Sequence, residues 1–329
     1  MEHTPVLKEQ VVEIFNQVED TIIDVTIGGG GQSAAILAAK SKIKNQKSKI
    51  FGIDQDYSAL EFAAENLKAY EDQITLVHGN FRNIRKILKE LNIGKVNGIL
   101  ADLGMSRMQI DDPERGFSFR SEAPLDMNMN QSQKSKLQLK TQYSKSQIHI
   151  LKSKILNLKS ELSAWQIIHS WNESKIADIL WEYGEERFAR KIARAIRVNR
   201  KNINSTLDLA KLCEKCVPPR FRKYKIHPAT KTFQALRIAV NDEIEALKDF
   251  LNDAPSLIAP GGRLAIISFH SLEDRLVKQK FSELAKPNDE NQIKNYELVT
   301  KHPIVATEEE IIQNPRARSA KLRVIKKIL

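Results

Sequence analysis

The chain has 329 residues, with 52 Lys plus Arg against 41 Asp plus Glu and a formal net charge of +11. Its 41% hydrophobic and 28% charged content is that of an ordinary globular chain. This excludes a disordered chain, which lacks the apolar material for a core, and a helical membrane protein, because no apolar run approaches the roughly 20 residues that cross a bilayer. At about 150 residues per domain the length suggests two domains. A positive surplus favours polyanionic partners, nucleic acid first. Two Cys cannot form a disulfide framework and fit a reducing cytoplasm. Met1-Glu2-His3-Thr4-Pro5 has no basic stretch leading into an apolar one, so no signal peptide, a cytoplasmic location and no membrane partner are expected.

The first hundred residues alternate. β-Branched runs at Thr21 to Gly28, Lys49 to Asp56, Ile74 to Phe81 and Val96 to Gly104 read as strands. Helical patterns fill the gaps, for example Tyr57 to Tyr70 with Leu60, Ala64 and Leu67 on one face. This alternation predicts βαβ units and a parallel sheet buried on both faces. The next convincing strand is Gly262 to His270, after a turn at Ala259 to Gly262 and a helix over Phe233 to Leu251. It starts 166 residues after Val96 (262 − 96). One crossover helix needs far fewer, so a domain of roughly a hundred residues is inserted after the fourth strand. The insertion reads as helical, over Ser174 to Asn199 and Leu207 to Val217, with Asn204-Ser205-Thr206 as cap residues. Gln131 to Ser160 holds seven Lys, five Gln, six Ser and no acid. Its first half reads as a loop and its second half, with Ile148, Leu151, Ile155, Leu158, Leu162 and Trp165, as a helix. Tyr296 to Val305 and Ser319 to Ile328 look like an antiparallel pair that closes the sheet.

Asp24-Val25-Thr26-Ile27-Gly28-Gly29-Gly30-Gly31-Gln32-Ser33 sits where the first strand meets a helix. Glycines there let the backbone turn tightly and approach a ligand. Asp54, at the end of the second strand, can accept hydrogen bonds from both ribose hydroxyls of a nucleoside. A dinucleotide, S-adenosylmethionine and a purely structural turn all fit the loop. Ser33 breaks the dinucleotide pattern G-x-G-x-x-G, whereas D-x-x-x-G-x-G suits a methionine moiety. Asn80-Phe81 and Asp102-Leu103-Gly104 end the third and fourth strands, so the loops converge on one crevice.

Arg187 to Lys201 has seven basic residues in fifteen and no acid. Phe188, Ile192 and Ile196 would face a core and leave Arg190, Arg194 and their basic neighbours either as a solvated face or for a nucleic acid. Pro218 to Lys225 interleaves Phe221 and Tyr224 with Arg220, Arg222, Lys223 and Lys225, as loops that grip nucleic acid do. Trp165, Trp171 and Trp181 read as helix-packing residues. Arg316, Arg318, Lys321 and Arg323 lie around an expected edge strand, where cations also discourage aggregation. Cys213 and Cys216 form one C-x-x-C without a second pair. They read as neighbours on a helix, and no metal is expected.

The blocks resemble the bacterial 16S rRNA (cytosine-N4)-methyltransferases, the RsmH (formerly MraW) family. They are H-T-P-V-L-K-E (His3 to Glu9), D-V-T-I-G-G-G-G-Q-S (Asp24 to Ser33), G-I-D-Q-D (Gly52 to Asp56) and D-L-G-M-S-R-M-Q-I-D-D-P-E-R-G-F-S-F (Asp102 to Phe119). P-L-D-M (Pro124 to Met127), Y-G-E-E-R (Tyr183 to Arg187), H-P-A-T-K-T-F-Q-A-L-R-I (His227 to Ile238), S-F-H-S-L-E-D-R (Ser268 to Arg275) and N-P-R-A-R-S-A-K-L-R (Asn314 to Arg323) follow in order. The resemblance implies an α/β, class I (Rossmann-like) S-adenosylmethionine-dependent methyltransferase domain over residues 1–108 and 226–329. An all-helical substrate-recognition domain is inserted over 109–225. It implies that Gly30, Gly31, Gln32, Asp54, Phe81, Asp102 and Gln109 line the S-adenosylmethionine site. The implied product is N4-methylated cytidine in the decoding region of 16S rRNA, within the small ribosomal subunit. The rivals are a methyltransferase for another base and a non-catalytic RNA-binding assembly factor. A homodimer is compatible with the sequence. Gln32 stands where the family usually has His, and Asn128 and Asn130 replace the usual Arg and Asp. Cytosine N4 is a poor nucleophile, so an acceptor beside it is needed. Asp102 is the first choice, helped by Gln109 or Asp126, and His270 is the alternative. Arg115, Arg190, Arg194 and Arg222 are the expected RNA contacts.

Overall fold

The computed structural model describes residues 5–18, 20–42, 48–130, 150–152, 162–222, 226–287 and 294–329. The chain divides into two compact units, one of Met1–Gly104, Asn130–Asn157 and Glu245–Leu329, the other of Met105–Met129 and Leu158–Ile244.

The first unit is built on one sheet. Its strands are β1 (Thr21–Asp24), β2 (Lys49–Asp54), β3 (Ile74–His78), β4 (Val96–Asp102), β5 (Ile150–Lys152), β6 (Ile258–Ser268), β7 (Tyr296–Leu298) and β8 (Lys321–Lys327). They lie in the order β5-β3-β2-β1-β4-β6-β8-β7. Neighbours from β5 through β6 are parallel, and β8 runs antiparallel to both β6 and β7. This is a Rossmann-like arrangement, with the expected antiparallel closure. Side chains alternate between two cores, as a period of two requires. Ile22, Leu100, Ala265 and Ile267 join the first core, and Ile23, Ile99, Leu264 and Ile266 the second. Each fully buried Ile or Leu contributes about 1.5–3 kcal/mol.

The second unit is helical. Its principal helices are Ala164–Ser170, Glu173–Glu182, Ala189–Asn199, Thr206–Cys216 and Thr230–Asn241, around a core that includes Ile167, Ile176, Leu180, Ile192, Ile196, Leu209 and Leu236. The stretch carrying P-L-D-M is strapped to it. Asn241 Nδ2 donates to Met127 O, the Met129 N–H donates to Asn241 Oδ1, and the Trp165 N–H donates to Leu125 O. Ser205 caps Thr206–Cys216 in a capping box with Asp208, so the expected cap lies one residue ahead of that helix.

Several expectations need correction. The limits of the helical unit fall at 105 and 244, not 109 and 225, because Thr230–Asn241 packs into the helical core. The helix expected over Phe233 to Leu251 is two, Thr230–Asn241 and Glu243–Leu257, parted by Asp242 at φ 53°. The helix expected over Ser174 to Asn199 is likewise two, and Glu185 at φ 48° lies in the break. Left-handed residues interrupt the helical hydrogen-bond ladder. Ile150–Lys152, expected in a helix, is an edge strand parallel to β3; residues 131–149 and 153–161 lie outside the described ones. β8 is interior, not an edge. Its Lys321 and Arg323 pair with Asp274 at 3.0 and 2.7 Å, which holds the Asp274 carboxyl below the usual carboxylate range. Among the described residues no helix is long and apolar enough to cross a membrane.

Candidate active site

Strand register sets the site. Asp24 aligns with Gly52 and Leu100, Asp54 with His78, and Asp102 with Ile267. The carboxyl ends of β1, β2, β3, β4 and β6 therefore form one rim. Strand order reverses between β1 and β4, the place where ligands bind in such sheets.

The glycine loop is held from below. Asp24 is buried, and its two oxygens accept from the Ser33 hydroxyl at 2.8 Å and the Thr26 N–H at 3.3 Å. Asp24 thus shapes the loop. Gly30 has φ 80°, and a Cβ there would lie 2.8 Å from Leu67 Cδ1, so only glycine both turns and fits. The helix Gly31–Lys40 then starts with no side-chain cap, leaving its first N–H groups available. Gln32 Nε2 donates to Val6 O at 2.8 Å and lies 3.5 Å from Asp102 Oδ2.

Asp54 Oδ2 accepts from the Gly28 N–H at 2.9 Å and Oδ1 from the Asp56 N–H at 2.8 Å. A carboxylate has about four acceptor positions, so one remains on each oxygen. Phe81 opens a short turn after β3 and meets Phe250 edge to face at 5.6 Å, so its ring is fixed while the residue stays partly open. Asn80 caps that turn and donates to Gln55 Oε1 at 2.7 Å. Asp102 is tied by its own N–H to Thr26 Oγ1 at 2.7 Å. Its Oδ1, like Gln32 Oε1, is buried with no hydrogen-bond partner among the described residues.

Three carboxyls at one rim titrate abnormally. Loss of hydration lifts Asp24 to about 6. Burial, with the neighbouring charge of Asp56, lifts Asp54 to about 7. Burial, with the charge of Asp24, lifts Asp102 to about 7 against the hydrogen bond from Gln32.

Gly30, Gly31, Gln32, Asp54, Phe81 and Asp102 thus belong to one rim of the sheet unit. Gln109 belongs to the helical unit, where its side chain and Ser106 form the capping box of Arg107–Asp111. Asp126 is also in that unit. His270 is the N-cap of Ser271–Leu284, its Nδ1 accepting the Glu273 N–H at 3.4 Å. The cap engages Nδ1 only; His270 Nε2 lies 3.1 Å from Glu273 Oε1.

The basic residues separate. Arg190, Arg194 and Arg222 are exposed, with Arg222 Nε donating to Val217 O. Arg115 is 3% exposed, and its Nη2 donates to Met129 O at 2.8 Å and Asn128 O at 3.3 Å. The expectation that Arg115 contacts RNA is therefore corrected, because its guanidinium is enclosed and braces the 124–129 strap. Arg115→Ala is expected to destabilise the chain by about 1–3 kcal/mol, the cost of stranding buried carbonyls. An unchanged thermal melt with weakened RNA binding would return Arg115 to the interface. Cys213 is buried on Thr206–Cys216, and burial pushes its thiol up to about 12. Two of the three Trp differ from expectation. Trp171 packs against the helical core, but Trp165 is 46% and Trp181 64% exposed. No period in the sequence distinguishes them.

The MraW methylase family model matches residues 1–155 and 147–328. A protein of Heliobacterium mobile named ribosomal RNA small subunit methyltransferase H is 43% identical over 99% of both chains. Proteins of the same name are 42% identical in Clostridium botulinum (strain Kyoto / Type A2), over 99% of both chains, and in Nostoc punctiforme, over 99% of this chain and 94% of that one. With a methyltransferase sheet, a glycine loop and three carboxyls at its rim, and matches along its whole length, the chain belongs to the MraW methylase family.

Proposed function

We propose that the chain transfers a methyl group from S-adenosylmethionine to the N4 amino group of a cytidine in the decoding region of 16S rRNA. The observation that carries the reading is the rim of three carboxyls, Asp24, Asp54 and Asp102, around a glycine loop. A pyrophosphate there would add negative charge beside carboxylates, which disfavours a dinucleotide; a sulfonium nucleoside brings a cation and two hydroxyls. The orphaned acceptor Gln32 Oε1 fits a donor-rich ligand such as an amino acid's ammonium group. The matched relatives are named for small-subunit rRNA.

When bound, S-adenosylmethionine supplies a methyl group already activated by its sulfonium. The residues then have to orient and dry the reactants. The spare lone pairs of Asp54 would take the ribose hydroxyls, Phe81 would edge the adenine, and Gly30 and Gly31 allow close approach. Gln32 would complete the lining. Asp102 Oδ1 would accept a hydrogen bond from cytosine N4, localise its lone pair and take its proton. The base must leave its stack to reach that atom. Phosphates would meet Arg190, Arg194 and Arg222 on the helical unit. Arg190→Ala with Arg194→Ala is expected to weaken binding of single-stranded RNA and to flatten log K against log salt by about 0.7 for each phosphate that is no longer neutralised. An unchanged slope would remove that face from the interface.

The decisive experiment follows methyl transfer from labelled cofactor to small subunits and to free 16S rRNA, then maps the modified nucleoside. N4-methylcytidine in the decoding region is expected. Label on another base makes the chain a methyltransferase of different specificity. RNA binding without label makes it an assembly factor.

A further inference from the structure

The helical unit carries a linear track that ends on an aromatic platform. Arg190, Arg194, Arg197 and Lys201 follow at steps of four, three and four residues, and all four are exposed. Such steps place them along one side of Ala189–Asn199 and the turn after it, over roughly 16 Å. Glu173 meets Arg197 at 3.5 Å and offsets part of its charge. At the start of the stripe Phe188 packs on Phe221 at 5.5 Å, and the Arg220 guanidinium lies 4.9 Å over the Phe221 ring.

At the far end the Trp165 indole stacks on His169 at 4.1 Å and 17°. His169 lies between two carbonyls, its Nδ1 2.8 Å from Trp165 O and its Nε2 3.0 Å from Arg200 O, next to Lys201, and its one N–H donates to one of them. One face of the indole is thus covered by a fixed ring, while nearly half the residue stays exposed. A large aromatic held rigidly in water gains nothing for the fold from its open surface. Beside a row of cations it is suited to a flat, unpaired base.

We infer that Trp165, backed by His169, is a stacking platform for an unpaired base of the RNA substrate, at the Lys201 end of the basic stripe. The inference rests on the RNA reading above and deepens it, since it fixes where a single strand ends on the helical unit. Trp181 supplies the contrast. It is more exposed, but Asp178 lies one turn before it on the same helix, and Glu182 and Glu185 follow in the chain. Phosphates are repelled there, so Trp181 lies off the track.

The test uses the full chain and an unstructured single-stranded RNA of roughly twelve nucleotides, within the range of such sites. Binding is read by anisotropy beside an abasic strand of equal length. Trp165→Ala is expected to weaken RNA binding about tenfold, Trp165→Phe to recover most of it, and Trp181→Ala to leave it unchanged. On the abasic strand Trp165→Ala should bind like the parent, because no base is left to stack. Equal affinities of parent and Trp165→Ala for RNA overturn the inference. So does an equal loss on the abasic strand, or a failure of Phe to rescue, either of which marks a packing role. If the parent binds S-adenosylmethionine but no RNA, the broader reading fails and the platform falls with it. If RNA binds and only the Trp165 effect is missing, the platform alone falls.

Discussion

Asp102→Asn is expected to lower kcat for RNA methylation by about 10²–10⁴-fold while S-adenosylmethionine still binds. That range is what a positioned proton acceptor contributes. The substitution keeps the shape of the side chain and leaves the main-chain N–H of residue 102 on Thr26 Oγ1, so the loop stays where β4 delivers it. It removes the ability of Oδ1 to take a proton. With its carboxyl lifted to about 7, Asp102 is divided between its two forms near neutrality, where a general base works best. Single-turnover methyl transfer, with cofactor affinity measured by calorimetry, separates chemistry from binding. Full turnover with intact binding would leave the N4 proton to solvent.

The loop after Asp102 explains why a small perturbation there should be felt. The Leu103 N–H donates to Ile267 O at 2.9 Å. Gly104 follows at φ 105°, and a Cβ on it would meet the Phe269 ring at 3.3 Å. Glu273 Oε2 in turn accepts the Phe269 N–H at 2.8 Å and the His270 N–H at 3.2 Å. The block S-F-H-S-L-E-D-R, read in the sequence for a reactive His, is thus largely scaffolding. It supplies a ring over Gly104, a helix cap, and the Asp274 carboxylate that binds Lys321 and Arg323.

The sheet was legible because parallel strands bury both faces and so leave dense apolar runs. The long gap before Gly262 reports an insertion whatever its contents. The site was legible where chemistry sits at strand ends, as with Asp54 and Asp102. What escaped depends on single backbone angles or on partners far away in sequence. Asp242 and Glu185 look like any polar helix residue until their positive φ is seen. Arg115 has the letter of an RNA contact, but its carbonyl partners lie 13 and 14 residues further on. Ile150–Lys152 joins β3 although the leucine and isoleucine spacing around it suits a helix, because pairing with an edge overrides local propensity. Trp165 and Trp181 share helix positions of the kind that usually pack, and the His169 ring behind Trp165 and the surrounding charge tell them apart.

Cofactor affinity is expected to fall steeply as pH drops from 8 to 6, while the ligand-free chain becomes more stable over the same interval. Both follow from the raised carboxyls at the rim. Asp54 and Asp102 stand at about 7 and Asp24 at about 6, against about 3.9 for an unfolded Asp. Between about 4 and 7 the folded state therefore binds more protons than the unfolded state. The slope of unfolding free energy against pH is then negative, so this contribution is largest at low pH and is lost as pH rises through the folded values. Binding works in the opposite direction. A sulfonium cation and donated ribose hydroxyls favour ionised carboxylates, so uptake must expel protons. One unit below its pKa a carboxyl is about 10% ionised, which weakens binding roughly tenfold per coupled group. Calorimetry at a pH of about 6.5, in two buffers of different ionisation enthalpy, should count about one proton released, that of Asp54. Asp54→Asn should abolish the release and flatten the pH profile accordingly. A flat affinity with no proton release would mean that the bound ligand leaves these carboxyls untouched, and the rim would lose its place in the site.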